Sequence, residues 1–172
     1  YAEKSIEEVD HKQLKDAIKA LKKEKRLIGF IGGPPCPDFS VAGKNKGRDG
    51  ENGKLSQSYI DIIVEMKPDF FLFENVKGLY RTLKHREFFE HLKEQLMNVG
   101  YTLHERLINS IEYGAPQDRE RIILLGFQSK KLAKSFNWSG RLYPDRNAFS
   151  YSWPTTNEFS EDSILAMPES LP

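Results

Sequence analysis

The sequence predicts an α/β protein, with a mostly parallel sheet flanked by helices and a final antiparallel hairpin. Short apolar runs alternate with longer amphipathic segments along most of the chain, which is typical of folds whose helices cover a parallel sheet. The last two apolar runs have no helix between them, so they are expected to pair as a hairpin. A chain of 172 residues is long enough to bury one sizeable core.

Each element follows from its own local pattern. Apolar residues recur at helical spacing in three charged segments, and short apolar runs without that spacing mark the strands. Gly100 follows the third segment as a plausible C-terminal cap. Helices are expected at 6–25, 55–67 and 85–99, strands at 27–31, 70–73, 101–108 and 122–127, and a short helix at 130–134.

Composition excludes several classes of protein. The net charge is only +1, so contact with nucleic acid would have to come from local basic patches. The single cysteine excludes an internal disulfide and a metal site built from several cysteines, so no metal is expected. No apolar run reaches the roughly 18 residues of a membrane span, and no secretory signal opens the chain, so a cytoplasmic protein without membrane contact is expected.

The single cysteine lies where an α/β sheet places its chemistry. Cys36 follows the apolar run 27–31 on a loop shaped by glycine and proline, and the loops after parallel strands form the ligand crevice of such sheets. The alternative is an inert buried thiol. The glycine-rich and basic segment 41–54 comes next and is interpreted as a mobile lid that closes over a phosphate backbone rather than as a plain surface loop.

Two further polar features accompany the cysteine. Glu74 and Asn75 end the second apolar run, and Arg119 and Arg121 lead into the last one. Because the carboxyl ends of parallel strands share one edge of the sheet, and the start of an antiparallel strand joins that edge, these groups are expected to face one cleft with Cys36.

These motifs resemble those of DNA cytosine carbon-5 methyltransferases. Residues 35–40 read PCPDFS, like the catalytic Pro-Cys loop of that family; residues 74–76 match its Glu-Asn-Val signature, and residues 117–121 match its Gln-x-Arg-x-Arg signature. Order and spacing agree over about a hundred residues, from Leu27 to Phe127. The resemblance implies a Rossmann-like, S-adenosylmethionine-dependent methyltransferase fold.

The resemblance also implies a catalytic role for each motif residue. Cys36 would add as a thiolate to carbon 6 of cytosine, which makes carbon 5 nucleophilic. Glu74 would supply a proton or strong hydrogen bond at ring nitrogen 3, and Arg121, with Arg119 nearby, would bind the carbonyl oxygen. Asn75 would support the site structurally. The target base must be flipped out of double-stranded DNA to reach these groups.

The same resemblance implies binding residues and an incomplete cofactor site. Pro35 and Leu55 match cofactor contacts, and the residues expected to contact DNA are Ser40, Lys44, Lys46, Arg48 and Gln117. The family's glycine-rich cofactor turn is missing before Cys36, and Ser5-Ile6 stands where the family has an Asp-Ile pair. A partial catalytic domain is therefore expected at 1–128, followed by an aromatic, irregular tail at 129–172 that leads towards an absent target-recognition domain.

Three interpretations of function follow. The first is part of a bacterial modification methyltransferase of a restriction-modification system: a fragment, a truncated gene product or one half of a split enzyme. Alone it is expected to be inactive or very weak, and in a split enzyme a complementary chain would supply the cofactor turn and the recognition domain. The second is a relative that methylates cytosine in tRNA, because the base chemistry is the same. The third is a non-catalytic regulatory subunit of the same fold, against which the joint presence of Cys36, Glu74 and Arg121 argues.

Overall fold

The computed structural model describes residues 5–35, 51–115, 117–138 and 140. Its helices are α1 (His11–Lys23), α2 (Glu51–Met66), α3 (Leu83–Asn98) and α4 (Lys130–Ser135), and its strands are β1 (Gly29–Gly32), β2 (Phe70–Val76), β3 (Thr102–Asn109) and β4 (Glu120–Phe127). Short 3-10 turns lie at Ile6–Glu8, Lys77–Tyr80 and Ser110–Tyr113. The predicted α/β class is confirmed, and none of the described helices is long and apolar enough to cross a bilayer.

The four strands form one sheet in the order β1-β2-β4-β3. Strand β1 runs parallel to β2, with Gly29 opposite Phe70, and β2 runs antiparallel to β4, with Phe70 opposite Phe127. Strands β3 and β4 are neighbours in the sheet and consecutive in the chain, as expected of a closing hairpin. The order places β4 between β2 and β3, so the residues that begin β4 lie beside those that end β2.

Alternation along β2 separates its two faces. Phe71, Phe73 and Asn75 are buried, whereas the residues between them are only partly covered, because successive side chains of a strand point to opposite faces. The buried face packs against α2 and α3 in the main core. The other members of this core include Ile60, Ile63, Leu79, Phe89, Leu92, Leu96, Ile122 and Leu124.

A smaller apolar cluster joins α1 to the sheet. Ile18 of α1 packs with Ile28, Ile62 and Met66, which anchors α1 beside α2 and the residue that precedes β1. The charged remainder of α1 faces solvent, as its helical periodicity predicts.

The first predicted helix is divided in the structure. Asp10 accepts hydrogen bonds from the backbone N–H groups of Lys12 and Gln13, so it caps α1 at its N-terminus. Ser5 and Glu8 form a separate capping box around the turn Ile6–Glu8. Capping side chains therefore end one element and begin the next inside a segment whose apolar spacing alone predicts a single helix.

Two strands are longer than predicted. Strand β2 includes residues 74–76 because they pair with Ile123, Ile122 and Arg121 of β4. Strand β4 accordingly begins at Glu120, so Arg121 lies inside the strand and Arg119 lies before it. The expected cap after α3 is present, because Gly100 adopts a φ of 100°, a conformation that favours glycine.

The described residues divide into two compact units. Those of Tyr1–Ile108 and Glu120–Trp138 make up the first, which contains both apolar clusters, and those of Asn109–Arg119 belong to the second. The predicted boundary at residue 128 stays a prediction.

Candidate active site

An ion pair joins the ends of two neighbouring strands. Arg121 Nε donates to Glu74 Oε1 at 2.8 Å. Strand register explains the contact: Arg121 lies opposite Val76, two residues beyond Glu74, so both side chains occupy the same face as diagonal neighbours. The Arg121 side chain is 20% exposed and the Glu74 side chain is 34% exposed. The pair is partly accessible to solvent, and the structure brings together two of the groups that were predicted to face one cleft.

Asn75 occupies the opposite face of β2. Its side chain is 2% exposed, and its amide nitrogen lies 3.5 Å from both the Pro34 carbonyl oxygen and Ser56 Oγ. Its amide oxygen accepts from the backbone N–H of Val76 at 2.8 Å. Asn75 thus ties β2 to α2 and to the loop that leaves β1, and it does not share the face on which Glu74 and Arg121 meet.

Gly33 allows the loop after β1 to approach Glu74 closely. A Cβ atom at this position would lie 2.9 Å from Glu74 Oε2, closer than the van der Waals contact of carbon and oxygen. The atom that it would meet is the end of a flexible side chain whose other oxygen is paired with Arg121. A side chain at position 33 would therefore disturb the ion pair.

A cleft of about 420 Å³ lies beside β1, and it is lined by residues that the sequence assigns to the cofactor. It includes Pro35 and Leu55, as well as Ser5 and Ile6. Tyr59 forms part of its wall, and Tyr59 Oη donates to the Leu72 carbonyl oxygen at 2.9 Å. Burial, with a smaller contribution from Tyr101, raises the pKa of the Tyr59 hydroxyl well above its usual value. Tyr59 therefore lines the cleft as a neutral side chain, held in place by its hydrogen bond.

The segment Asn109–Arg119 is organised by the buried side chain of Asn109. Its oxygen accepts from the backbone N–H groups of Ile111 at 3.1 Å and Arg119 at 3.3 Å, and its nitrogen donates to Asp118 Oδ1 at 2.5 Å. Glu112 Oε2 in turn accepts from the Asn109 backbone N–H. One amide side chain thereby fixes the backbone on both sides of the predicted motif residues Gln117 and Arg119, which are themselves exposed.

The predicted site residues thus fall into three groups. Glu74 and Arg121 meet in one ion pair, and Asn75 lies on the opposite face. Pro35 and Leu55 meet in the cleft beside β1. Gln117 and Arg119 lie in the second unit. Cys36, Ser40, Lys44, Lys46 and Arg48 lie outside the described residues.

Sequence reasoning missed three residues that shape the site. Tyr59 lies within the helix predicted at 55–67, Asn109 lies between the strands predicted at 101–108 and 122–127, and Gly33 lies in the loop after the first strand. Asn109 carried a usable signal, because Asn followed three residues later by Glu is a capping-box pattern. The role of Gly33 depends on a neighbour forty-one residues away, Glu74, so no local pattern could have revealed it.

Solved structures with the same architecture are methyltransferases. A DNA modification methyltransferase encoded within an E. coli prophage matches with a TM-score of 0.50 and 28% identity, over 72% of this chain and 32% of that one. The Entamoeba histolytica methyltransferase EhMeth matches with a TM-score of 0.58 and 17% identity, over 80% of this chain and 40% of that one, a likeness of fold alone. The fold is therefore the Rossmann-like fold of S-adenosylmethionine-dependent methyltransferases, in agreement with the sequence expectation.

Sequence comparisons define the family. The family model for C-5 cytosine-specific DNA methylases matches residues 1–167, so the chain belongs to that family. The Type II methyltransferase M.NmeDI of Neisseria meningitidis serogroup C is 59% identical over 178 aligned residues, which cover 99% of this chain and 41% of that protein. M.MthTI of Methanothermobacter thermautotrophicus is 39% identical over 59% of this chain and 31% of its own length. The chain thus spans well under half of these relatives.

Proposed function

We propose that this chain carries the chemical centre of a DNA cytosine carbon-5 methyltransferase of the Type II modification class. The observation that carries the proposal is the Glu74–Arg121 ion pair, formed by two separate family motifs on adjacent strand ends. Nitrogen 3 and the carbonyl oxygen of cytosine are bonded to the same ring carbon and therefore lie close together. An acid and a guanidinium that already touch are well arranged to address both atoms together.

The proposed chemistry begins with Cys36. Its thiolate adds to carbon 6 of a flipped-out cytosine, and the ring electrons move towards nitrogen 3, where Glu74 supplies a proton or hydrogen bond. Arg121, with Arg119, holds the carbonyl oxygen and stabilises charge that develops on the ring. Carbon 5 then takes the methyl group, a base removes the carbon-5 proton, and the returning electron pair expels the Cys36 sulfur.

The cofactor proposed is S-adenosylmethionine, which supplies an electrophilic methyl group when bound. The cleft beside β1 fits this group in size, since ligand pockets commonly measure about 300–1,000 Å³. Its lining combines the apolar residues Ile6, Leu55 and Tyr59 with Ser5 and with residues 32–35 of the loop after β1. Pro35 and Leu55 are the proposed contacts from this chain, and the rest of the cofactor site would come from segments equivalent to the unmatched part of M.NmeDI.

The proposed partner is double-stranded DNA, contacted through Ser40, Lys44, Lys46, Arg48 and Gln117. Segments for cofactor binding and target recognition, in the same polypeptide or in a complementary chain, belong to the proposal because the match covers only 41% of M.NmeDI. A bacterial cytoplasm is the proposed location, since the modification methyltransferases to which the chain is similar would act on DNA there.

A chimera tests the proposal directly. Residues 1–172 replace the matching segment of M.NmeDI, and the purified chimera is incubated with S-adenosylmethionine and duplex DNA that contains 5-fluorocytosine. Fluorine at carbon 5 prevents the final proton removal, so an active centre stays covalently attached to the DNA. We expect an adduct that survives denaturation and that Cys36→Ala abolishes.

The control is the same chimera with Asn98→Ala, an exposed residue at the end of α3. Absence of an adduct in a folded chimera, or an adduct that persists in Cys36→Ala, would overturn the proposal. Trapping on 5-fluorocytosine tRNA in preference to DNA would overturn the choice of substrate.

A further inference from the structure

A second cleft, of about 510 Å³, lies directly after β2. We call it the cationic cleft, and it is lined by Lys77, Gly78, Tyr80, Arg81, Arg86 and Glu120. Three of these side chains are cations and one is a carboxylate. Glu120 is a variable position of the motif at 117–121, and the other lining residues lie outside the motifs that define the proposed catalytic centre.

The cationic cleft retains positive charge that its own acid does not neutralise. Glu120 Oε2 pairs with Lys77 Nζ at 2.5 Å. Arg81 and Arg86 are exposed, and neither forms an ion pair with any residue that the structure describes. Two guanidinium groups therefore face solvent from one concave surface, which is the arrangement that binds phosphate oxygens.

The backbone that carries these cations is fixed by the core. Leu79 is fully buried, and the ring of the buried His85 contacts the Gly78 carbonyl oxygen through Nδ1 at 3.1 Å. The Arg81 backbone N–H donates to that same oxygen at 3.0 Å. A ligand would consequently meet a preorganised turn, which reduces the entropic cost of binding.

One of the two arginines is also held in place. Arg86 Nε donates to the Tyr80 carbonyl oxygen at 2.7 Å, and the Tyr80 ring packs edge-on against Phe89 with centroids 5.9 Å apart. The Arg86 guanidinium therefore keeps its orientation through a contact with a residue that is itself packed on the core. Its terminal nitrogens make no hydrogen bond to another described residue.

The cationic cleft adjoins the proposed catalytic pair. Lys77 follows Val76, which lies opposite Arg121 in the sheet, and Glu120 precedes Arg121 in the chain. A nucleic acid that presented a base to Glu74 and Arg121 would therefore bring its backbone close to this turn. No comparable reason connects a small anion or an acidic protein with this position.

We propose that the cationic cleft binds the phosphodiester backbone of the substrate DNA, and this inference rests on the proposed function. Arg81 and Arg86 would each contact a phosphate, and contacts of this kind position a protein on the duplex without reading its sequence. The cleft would thus hold DNA through described residues that lie apart from the predicted basic segment 41–54.

The test measures DNA binding without chemistry. Arg81→Gln/Arg86→Gln is compared with the unchanged 172-residue chain by fluorescence anisotropy, using two labelled duplexes of unrelated sequence across a series of salt concentrations. Each phosphate contact contributes about 0.9 to the slope of log K against log salt. We expect the magnitude of this negative slope to decrease by about 2 in the double variant. The affinities for the two duplexes should decrease by a factor that is the same for both.

The matched control is Lys12→Gln/Lys19→Gln, which removes two exposed positive charges from α1. Its slope should stay within measurement error of the unchanged chain. Arg81→Gln alone keeps the Arg86–Tyr80 contact and should lower the slope by about 1, so a folding defect in the double variant cannot decide the result.

Outcomes for the cleft and for the catalytic centre are separable. An unchanged slope in both arginine variants, or a loss equal to that of the lysine control, would overturn the cleft proposal. Covalent trapping is measured on the M.NmeDI chimera and DNA binding on the 172-residue chain, so failure of trapping contradicts the catalytic proposal and leaves the binding result intact.

Discussion

At the scale of single residues, Gly33 is as important for the site as the charged side chains. It contributes no functional group, yet its missing Cβ leaves the space that the Glu74 carboxylate occupies. The ion pair with Arg121 therefore depends on a residue of a different strand end. Glycine is required here by close approach and not by an unusual backbone angle.

Gly33→Ala is expected to slow covalent trapping in the M.NmeDI chimera by about 10-fold or more, since small displacements of catalytic groups have large effects on rate. The new methyl group would push Glu74 Oε2 and weaken its alignment with Arg121. Single-turnover trapping with 5-fluorocytosine DNA measures the effect. Gly140→Ala is the control, because a Cβ there would have no atom of the described residues within 4 Å; equal rates for the two variants would contradict the interpretation.

Asn109→Ala is expected to loosen the turn 110–119 and to cost about 1–3 kcal/mol of stability, because it leaves buried polar partners unsatisfied. Amide hydrogen exchange at Ile111 and Arg119, both of which donate to Asn109, should accelerate at least about 10-fold if this interaction dominates their protection. Amides of β4 should keep their protection. Asn98→Ala provides the control, and unchanged exchange at both amides would refute this role.

At the scale of elements, aromatic rings cover glycines on neighbouring strands. Phe71 of β2 lies over Gly126 of β4, and Phe70 of β2 lies over Gly29 of β1. The two pairs face opposite sides of the sheet. In both, the ring occupies the space where a Cβ of the partner residue would stand, so the strand pairing depends on glycine at these positions.

The two pairs give different expectations for the cost of substitution. Gly126→Ala should destabilise the chain by about 1–3 kcal/mol, because Phe71 is fully buried and cannot move away. Gly29→Ala should cost less, because Phe70 is only partly buried and its ring has room to turn. Urea denaturation of the two variants provides the comparison, and equal losses of stability would show that ring burial does not determine the cost.

The sequence predicted the helices and strands themselves better than it predicted the long-range contacts between them. The apolar run at 70–73 identified β2, because four consecutive apolar residues need cover on both faces. Nothing local showed that residues 74–76 continue that strand, since their pairing with β4 is a long-range contact. Similarly, apolar spacing predicted one helix from residue 6, while the cap at Asp10 divided it.

At the scale of the whole molecule, two tyrosines link the sheet to its surroundings through buried hydroxyl groups. Tyr59 Oη donates to the Leu72 carbonyl oxygen, and Tyr101 Oη donates to the Pro68 carbonyl oxygen at 2.6 Å. Burial raises the pKa of Tyr101 to about 12 and raises the pKa of Tyr59 as well. Both groups must stay protonated for the native packing to persist.

Stability should therefore decline in alkaline solution. In the unfolded chain these tyrosines ionise near pH 10, whereas in the folded chain they hold their protons to about pH 12. The native state thus binds more protons in this window, and stability present below pH 10 is lost as the pH rises through it. Urea midpoints at pH 8 and pH 11 measure the decline.

Tyr101→Phe should make that decline shallower, because it removes one of the titrating groups. Tyr113→Phe is the control, since the Tyr113 hydroxyl forms no hydrogen bond with a described residue. A decline of equal steepness in Tyr101→Phe and the unchanged chain would contradict the assignment.

Only the site residues that belong to recognisable motifs could be predicted from the sequence. Family spacing identified Glu74 and Arg121, and the sheet edge explained why they should converge. Their direct ion pair, the glycine that makes room for it and the asparagine that fixes the turn all depend on contacts between distant segments. Those contacts are set by strand register and burial, which composition and periodicity do not encode locally.

The diagonal placement of Glu74 and Arg121 has a consequence for inactivation. Their separation is inherited from the ladder between β2 and β4 and not from two freely rotating side chains. Heating should leave the geometry of the pair nearly constant until that ladder opens, and then both groups are lost together. In the M.NmeDI chimera, the loss of covalent trapping on heating should therefore be abrupt and should coincide with melting of the central strands.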